Sequence, residues 1–589
     1  MHDIERPDGI GNPEMAWSSD AVAEMLRRLG LPYLAMNPGA SYRGLHDSLV
    51  NYLGNRDPQM LLCLNEGHAV AIAHGYAKVT GKPMGCILHS NVGLMAGLMQ
   101  VFNAWCARVP IVLIGAGGPI DADQRRPWVD WIHTAADQGA LLRNYTKWDN
   151  TPASVPAALE ALLRAHQIAS TAPMGPVYVC LDAGLQEQRL DDVPALPDVA
   201  RFGPGEPAAP SQASLERAIE LLANAQRPLI FCGRVSREPD DWAQRIELAE
   251  RIGAKVVTDL RAGAAFPTDH PLHGPSPRPN LPAASQVLFR EADVILALDA
   301  VDLAGALKLA SAGGPCTAKI IHCSVDSYVH NGWSMDHQAL PPVDVRILTE
   351  PDAAIAALLP RLADRRIDAR AKWGGKAATA KSIPAAPRFD AGAVGYDHLT
   401  HCLAEARKRH PLTIVRVGLG WASERYHFRE PLDFLGWDGG GGLGAGPGMA
   451  VGAALALKDS GRIALTLVGD SDFLQGATAL WTAAHYRLPA LVIVTNNRSN
   501  FNDEIHQELV ARERDRPVAN KWIGMRMEDP ALDIVGLARA QGVEAAGPIV
   551  RADALPAALD VALEVVAAGR PYLLDVMVEP SGGPLLKRA

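Results

Sequence analysis

Short, near-continuous apolar runs, each ending in a Gly, Asp, Asn or Ser cluster and followed by a helical pattern, recur through the whole chain. In the first block they are "MGCILHS", "VPIVLIGA" and "GPVYVCLD", with helices such as "GHAVAIAHGYAKVTG" between them. The second block repeats the alternation in "RPLIFCG", "AKVVTDL", "ADVILALD" and "AKIIHCSV", the third in "LTIVRVG", "IALTLVGD", "ALVIVTNN" and "PYLLDVMVE". A strand apolar on successive residues has both faces to bury, which demands a parallel sheet with helices on each side. The predicted fold class is α/β, with three doubly wound parallel-sheet domains. Two Pro- and Gly-rich or charged stretches, 191–212 and 363–392, read as linkers, giving domains over 1–190, 205–365 and 390–580. In such sheets ligands sit beyond the carboxyl ends of the strands, so the sites are sought in those terminal clusters.

Bulk properties remove several classes of function. The formal charge of -9 over 589 residues gives no reason to expect a nucleic-acid partner. No apolar run approaches the ~18 residues of a membrane helix. The opening "MHDIERPDGIGNPEMAWSSD" is polar and acidic, unlike a signal or transit peptide. The eight cysteines are scattered without a C-x-x-C pair, which speaks against a zinc site or disulfide framework and for a reducing compartment. A cytoplasmic protein with no membrane partner is expected.

The stretch "VGDSDFLQGATALWTAAHYRLPALVIVTNN" carries the most specific chemistry. One strand delivers Gly469 and Asp470, a helix follows, and the next strand delivers Asn496 and Asn497. A unit of this length makes neighbouring parallel strands, so Asp470 and Asn497 come side by side on the ligand edge. One carboxylate and one amide oxygen suit a hard divalent cation, and the helix start beside them suits a phosphate. The residues alone also allow a plainer reading, in which Asp470 caps the helix and the asparagines close a turn.

The spacing resembles the motif of thiamine-diphosphate enzymes, which begins Gly-Asp-Gly and closes on Asn-Asn. That resemblance implies three α/β domains: pyrimidine-binding, central and diphosphate-binding. It also implies a Mg²⁺ ion held by Asp470, Asn497 and the main-chain carbonyl of Ser499. Gly469, Asp470, Ser471, Asp472 and Asn497 become cofactor-binding candidates. Ser471 replaces the third motif glycine, and serine does not tolerate a forced positive φ. The first block carries the family's second motif: Glu66 at a helix start, then Gly75-Tyr76-Ala77. By resemblance Glu66 bonds the cofactor's pyrimidine ring and promotes formation of the reactive ylide. The turn Asn37-Pro38-Gly39 lies against the pyrimidine, Gly442 and Leu443 lie in the Gly-rich stretch with Leu443 under the cofactor's bend, and Gly420 stands in the segment matching a diphosphate wall. An exposed first-turn glutamate and a loop-anchoring leucine are the alternatives for Glu66 and Leu443.

"ILHSNVG", Asn103-Ala104-Trp105 and "ALWTAAHYRLP" resemble benzoylformate decarboxylases. His89 then contacts the substrate carboxylate or moves a proton; a core histidine is the alternative. The chain departs from that branch in several places. Ala40 follows the Asn-Pro-Gly turn where a serine is usual, with Ser41 one residue later. No counterpart of a second active-site histidine is legible, and "RSNFNDEIHQELVARERDRPVANKW" is dissimilar. In that last stretch Asn502 and His506 are weak candidates, as is Arg43 for a substrate carboxylate. The middle block resembles acetolactate synthase, whose central domain binds FAD. The short Pro-rich loop after "HPLHG" gives no expectation of FAD here, and His273 reads as structural.

The favoured reading is decarboxylation of a 2-oxo acid through ylide and enamine intermediates, in a homodimer or homotetramer where Glu66 of one subunit meets the partner's Asp470 loop. A carboligase or lyase acting on a hydroxyketone or acyl-CoA is the enzymatic alternative. A noncatalytic partner subunit is the other. A single G-x-G-x-x-G match, Gly439 to Gly444, raises a dinucleotide site, but no good strand precedes it.

Overall fold

A computed structural model describes residues 4–10, 13–329, 339–375 and 381–580. It contains three parallel sheets. The first runs β2-β1-β3-β4-β6-β5, from β1 (Tyr33–Met36), β2 (Gln59–Leu62), β3 (Met84–Leu88), β4 (Ile111–Gly117), β5 (Asp149–Asn150) and β6 (Val177–Asp182). The second runs β11-β10-β9-β7-β8, from β7 (Pro228–Cys232), β8 (Lys255–Thr258), β9 (Val294–Leu298), β10 (Lys319–Cys323) and β11 (Val345–Ile347). The third runs β12-β13-β14-β16-β15, from β12 (Leu412–Arg416), β13 (Ile463–Gly469), β14 (Ala490–Asn496), β15 (Glu544–Ile549) and β16 (Tyr572–Met577).

Every apolar run singled out in the sequence forms a strand, because burial on both faces leaves it no polar side to signal. The runs in β3, β4, β9 and β14 are buried at each residue. In the first sheet the strand order reverses between β1 and β3, so their carboxyl ends flank the crevice where such sheets take ligands. The stretch 191–212 holds one short turn of helix, Val199–Phe202, before the helix Gln212–Asn224. The stretch 363–392 lies between the helices Pro351–Ala363 and Tyr396–Ala406, and its residues 376–380 lie outside the described residues.

The first and third sheets share one hydrophobic core. A single cluster of buried residues includes Ala69, Ile72 and Ala73 of the helix Glu66–Thr80 together with Met449, Ala450 and Ala453 of the helix Ala445–Leu457. These two helices touch backbone to backbone. A β-carbon on Gly75 would collide with the Met449 carbonyl, and one on Gly452 with the Ile72 carbonyl. Small residues at such a crossing let main chains approach where any larger side chain would hold them apart. His68 Nε2 to Thr478 Oγ1 at 2.6 Å and the Tyr486 hydroxyl on the Leu62 amide at 2.8 Å bond across the same boundary.

Candidate active site

Glu66 opens its helix behind Asn65, whose side chain accepts from the Gly67 amide at 2.7 Å. The Glu66 side chain turns inward, not to solvent, and is 6 % exposed. It packs against Gly93 on the helix Ser90–Cys106, where a β-carbon would strike the carboxylate. Among the described residues nothing hydrogen-bonds to that carboxylate. A buried acid without a protein partner is costly unless a ligand completes it.

His89 follows β3 and faces the turn after β1. Its Nδ1 lies 2.9 Å from Ser41 Oγ, and a β-carbon on Gly39 would overlap its ring. The short helical turn Ala40–Tyr42 brings Ser41 to this place. Of the turn itself, Asn37 and Gly39 are half-buried and Pro38 is exposed. The fully buried Tyr42 bonds the Asn37 carbonyl.

Another histidine stands beside His89. His133, from the segment after β4, stands edge-on to His89 with ring centroids 4.9 Å apart. Ser90, held at φ +50 where glycine is favoured, gives its hydroxyl to the His133 carbonyl at 2.5 Å. Such strain beside a polar cluster is a common mark of a working site. Burial first, and then the neighbouring His133, hold His89 below the ordinary histidine range, so its ring is neutral near pH 7. The His133 signal was illegible in sequence because no local pattern distinguishes it.

On the third sheet, β13 and β14 pair in parallel, with Gly469 opposite Thr495. Asp470 and Asn497 therefore leave adjacent strand ends. The Asp470 carboxylate accepts from the amides of Ser471 at 2.8 Å and Asn497 at 3.1 Å. Burial pushes Asp470 up, opposed by backbone amides of residues 471 and 497 to 499. Arg498 at φ +55 makes the turn that converges those amides, and Asn497 Oδ1 accepts from the Ser499 amide at 3.0 Å. Ser471 needs no positive φ: it lies in the first turn of the helix Asp470–Gly476, a conformation any residue adopts. The single helix expected between these strands is two, Asp470–Gly476 and Ala479–His485.

The glycine-rich segment leads into the Ala445–Leu457 helix. Asn103 clamps Gly442 with two 3.0 Å bonds, one to its carbonyl and one from its amide, and Gln100 donates to the Leu443 carbonyl at 3.2 Å. Leu443 itself stays 40 % exposed, so it is no buried anchor. No regular strand precedes this segment, only the helical turn Pro431–Asp433, which removes the βα turn a dinucleotide motif requires. Asp472, a cofactor-binding candidate by resemblance, accepts from the Gly444 amide at 2.6 Å and pairs with Arg416. Gly420 is half-buried in the turn after β12, beside the fully buried Trp421.

The weaker candidates fall away from this cluster or into structural roles. Arg43 pairs with Glu187 at 2.5 Å, and His506 is exposed on the helix Phe501–Glu513, where Asn502 is half-buried. His273 is buried and within 3.0 Å of the Thr258 hydroxyl. Within the chain the third domain packs on the Glu66 helix through the glycine contacts and the His68–Thr478 bond.

Family models describe the same three parts. The thiamine pyrophosphate enzyme N-terminal TPP binding domain matches residues 17–141, the central domain 215–358 and the C-terminal TPP binding domain 419–576. The chain belongs to the thiamine pyrophosphate enzyme family. Thiamine pyrophosphate enzymes similar to it include a benzoylformate decarboxylase of Pseudomonas aeruginosa, 27 % identical over 94 % of this chain and 98 % of that protein. A probable acetolactate synthase large subunit of Methanocaldococcus jannaschii is 25 % identical over 96 % of this chain and 92 % of that one. The fold is shared with a thiamine diphosphate-dependent 4-hydroxybenzoylformate decarboxylase of Rhodococcus jostii RHA1, with TM-score 0.75 and 22 % identity, covering 96 % and 99 % of the two chains.

The residues of this thiamine pyrophosphate enzyme suit that cofactor. The Asp470 carboxylate, the Asn497 side chain and the Ser499 carbonyl form an all-oxygen donor set of the kind Mg²⁺ prefers beside a diphosphate. The space where a Gly469 side chain would point is open. Glu66 waits without a partner on the opposite domain. No helix among the described residues is long and apolar enough to cross a membrane.

Proposed function

We propose that this protein uses thiamine diphosphate and Mg²⁺ to decarboxylate a 2-oxo acid. The observation that carries the reading is Glu66: a buried carboxylate, without a hydrogen bond among the described residues, on a helix packed against the third domain. A structural glutamate in that position would have been satisfied from within the chain. In this reading Glu66 holds a proton for the pyrimidine ring nitrogen, and Asn37, Pro38 and Gly39 border the ring. Leu443 would support the cofactor from below, with Gly442 and Gly420 beside it. Asp470, Asn497 and the Ser499 carbonyl hold the metal. When bound, thiamine diphosphate supplies the carbon nucleophile and accepts the electron pair that CO₂ leaves behind. Neutral His89, oriented by Ser41 and backed by His133, receives the substrate carboxylate's side of the cleft and moves the proton that completes the aldehyde.

The enzyme acts as a homodimer or homotetramer in this proposal. Val92, Met95 and Met99 leave an exposed apolar stripe on one face of the Ser90–Cys106 helix, which a second copy would cover. The deciding experiment is CO₂ release from a panel of aliphatic and aromatic 2-oxo acids with thiamine diphosphate and Mg²⁺, beside Glu66→Ala. Release lost in the variant supports the reading, and the best acid sizes the pocket; no release from any acid, with cofactor bound, overturns it. The acetolactate synthase relative favours a second reading, ligation to a second carbonyl. A hydroxyketone product in place of the aldehyde distinguishes it.

A further inference from the structure

Arg416, the last residue of β12, sits in the third domain between two carboxylates. Its Nε lies 3.1 Å from Asp438 Oδ2, and its terminal nitrogen contacts Asp472. The three side chains are largely buried, at 15 % exposure for Arg416, 1 % for Asp438 and 5 % for Asp472. Each carboxylate reaches past Arg416 to a backbone amide of the glycine-rich segment. Asp438 Oδ1 accepts from Gly441 at 3.1 Å, and Asp472 Oδ1 accepts from Gly444 at 2.6 Å. On the other side of the segment, the buried Lys78 of the Glu66 helix bonds the Trp437 carbonyl, and Asn103 clamps Gly442.

Glycines give a segment no side chains with which to hold its own shape. The shape of 439–444 is therefore imposed by its neighbours, by Asp438 at its start and Asp472 on one side and by the side-chain amides of Gln100 and Asn103 on the other. Two buried carboxylates this close repel unless a cation lies between them. A guanidinium is suited to that place, since its planar fork serves two acceptors at once and stays charged.

We propose that Arg416 is a positioning residue: it neutralises Asp438 and Asp472 together, and so fixes the glycine segment that presents Gly442 and Leu443 opposite Glu66. The significance for the cofactor rests on the function proposed above; the fixing of the segment does not. Asp472 follows the metal candidate Asp470 by two residues, so an unneutralised carboxylate there also opposes the approach of a diphosphate. Arg416 makes an acid tolerable at that position.

The test uses the full-length protein and two readouts. Amide hydrogen exchange of residues 438–446, measured without cofactor and referenced to β13 and β14, is compared for the parent, Arg416→Met, Arg416→Lys and Arg416→Met with Asp472→Asn. Exchange of that segment rises about tenfold or more in Arg416→Met, rises less in Arg416→Lys, and returns toward the parent in the double variant, where the amide oxygen still accepts from Gly444 without a charge. Should Arg416→Met not fold, Arg416→Lys and the double variant carry the comparison. Thiamine diphosphate affinity with Mg²⁺, followed by tryptophan fluorescence, weakens about tenfold in Arg416→Met and recovers in the double variant. Parent-like exchange in both single variants overturns the assignment, as does a double variant that stays as loose as Arg416→Met. A parent that binds no cofactor overturns the proposed function, and the exchange data alone then decide the role of Arg416.

Discussion

The β-carbon position of Gly93 coincides with the space filled by Glu66 Oε1. Glycine within the Ser90–Cys106 helix lowers its helix propensity by roughly 1 kcal/mol relative to alanine, so its presence here makes room for the acid. Gly93→Ala is expected to leave thermal stability near the parent, as propensity and clash offset, while CO₂ release falls at least about tenfold because the carboxylate is displaced. A melting curve read beside the activity separates the two effects. Parent-level turnover in this variant would show that Glu66 needs no fixed position.

Ser41 and His133 act on the same imidazole from different sides. Ser41→Ala removes one hydrogen bond of ~1 kcal/mol, and kcat/KM is expected to drop about fivefold. His133→Phe keeps a ring at that edge and removes the neighbouring imidazole that pushes His89 down. The pKa of His89 then moves up toward its ordinary value, and the acid limb of the kcat/KM profile moves to higher pH with it. A pH–rate series, checked by NMR titration of the imidazole, reads the shift; an unmoved limb would assign that limb to another group.

His68 gives the boundary between the first and third domains a defined acid sensitivity. Burial lowers it from 6.5 to about 4. Between these values the unfolded chain binds the proton and the folded chain does not, so stability is complete above about pH 6.5 and declines as pH falls toward 4. The decline amounts to at most about 3 kcal/mol from this group. Melting temperatures from pH 7 to pH 4.5 should fall less steeply in His68→Asn than in the parent.

Asp470 and Asn497 are expected to make cofactor binding depend on the metal. Chelation with EDTA should release thiamine diphosphate, and Mg²⁺ should restore it. Asp470→Asn should weaken Mg²⁺-dependent binding by about two orders of magnitude, and Asn497→Ala somewhat less, since the carboxylate supplies the only charge in the donor set. Equal cofactor affinity with and without Mg²⁺ would remove the metal from the scheme.

The elements legible in sequence were those whose signal is local. The runs of β3, β4, β9 and β14 declare themselves through consecutive apolar residues, and Asp470 with Asn497 through strand-end spacing. β1, "YLAM", and β2, "QMLL", went unread because neither carries a β-branched residue. β15, "EAAGPI", carries a glycine and a proline and pairs on one side only, which suits an edge strand and erases the pattern. Ser471 looked like a broken motif because a loop was assumed where a helix begins. His133 and Arg416 were invisible for a different reason. Each acquires its role from residues more than twenty positions away, and nothing in the flanking sequence records that neighbour.

The crossing of Gly75 over Met449 and of Gly452 over Ile72 sets a tolerance for the whole candidate site. Because main chain rests directly on main chain there, no flexible side chain lies between the two halves to take up slack. Any residue larger than glycine at either crossing would prise the acid-bearing helix from the domain that carries the metal candidates, and repacking around it could not bring them back. The spacing between the two candidate clusters is therefore calibrated by covalent geometry, and a drift of an ångström in it is barred well before the hydrophobic core itself begins to fail.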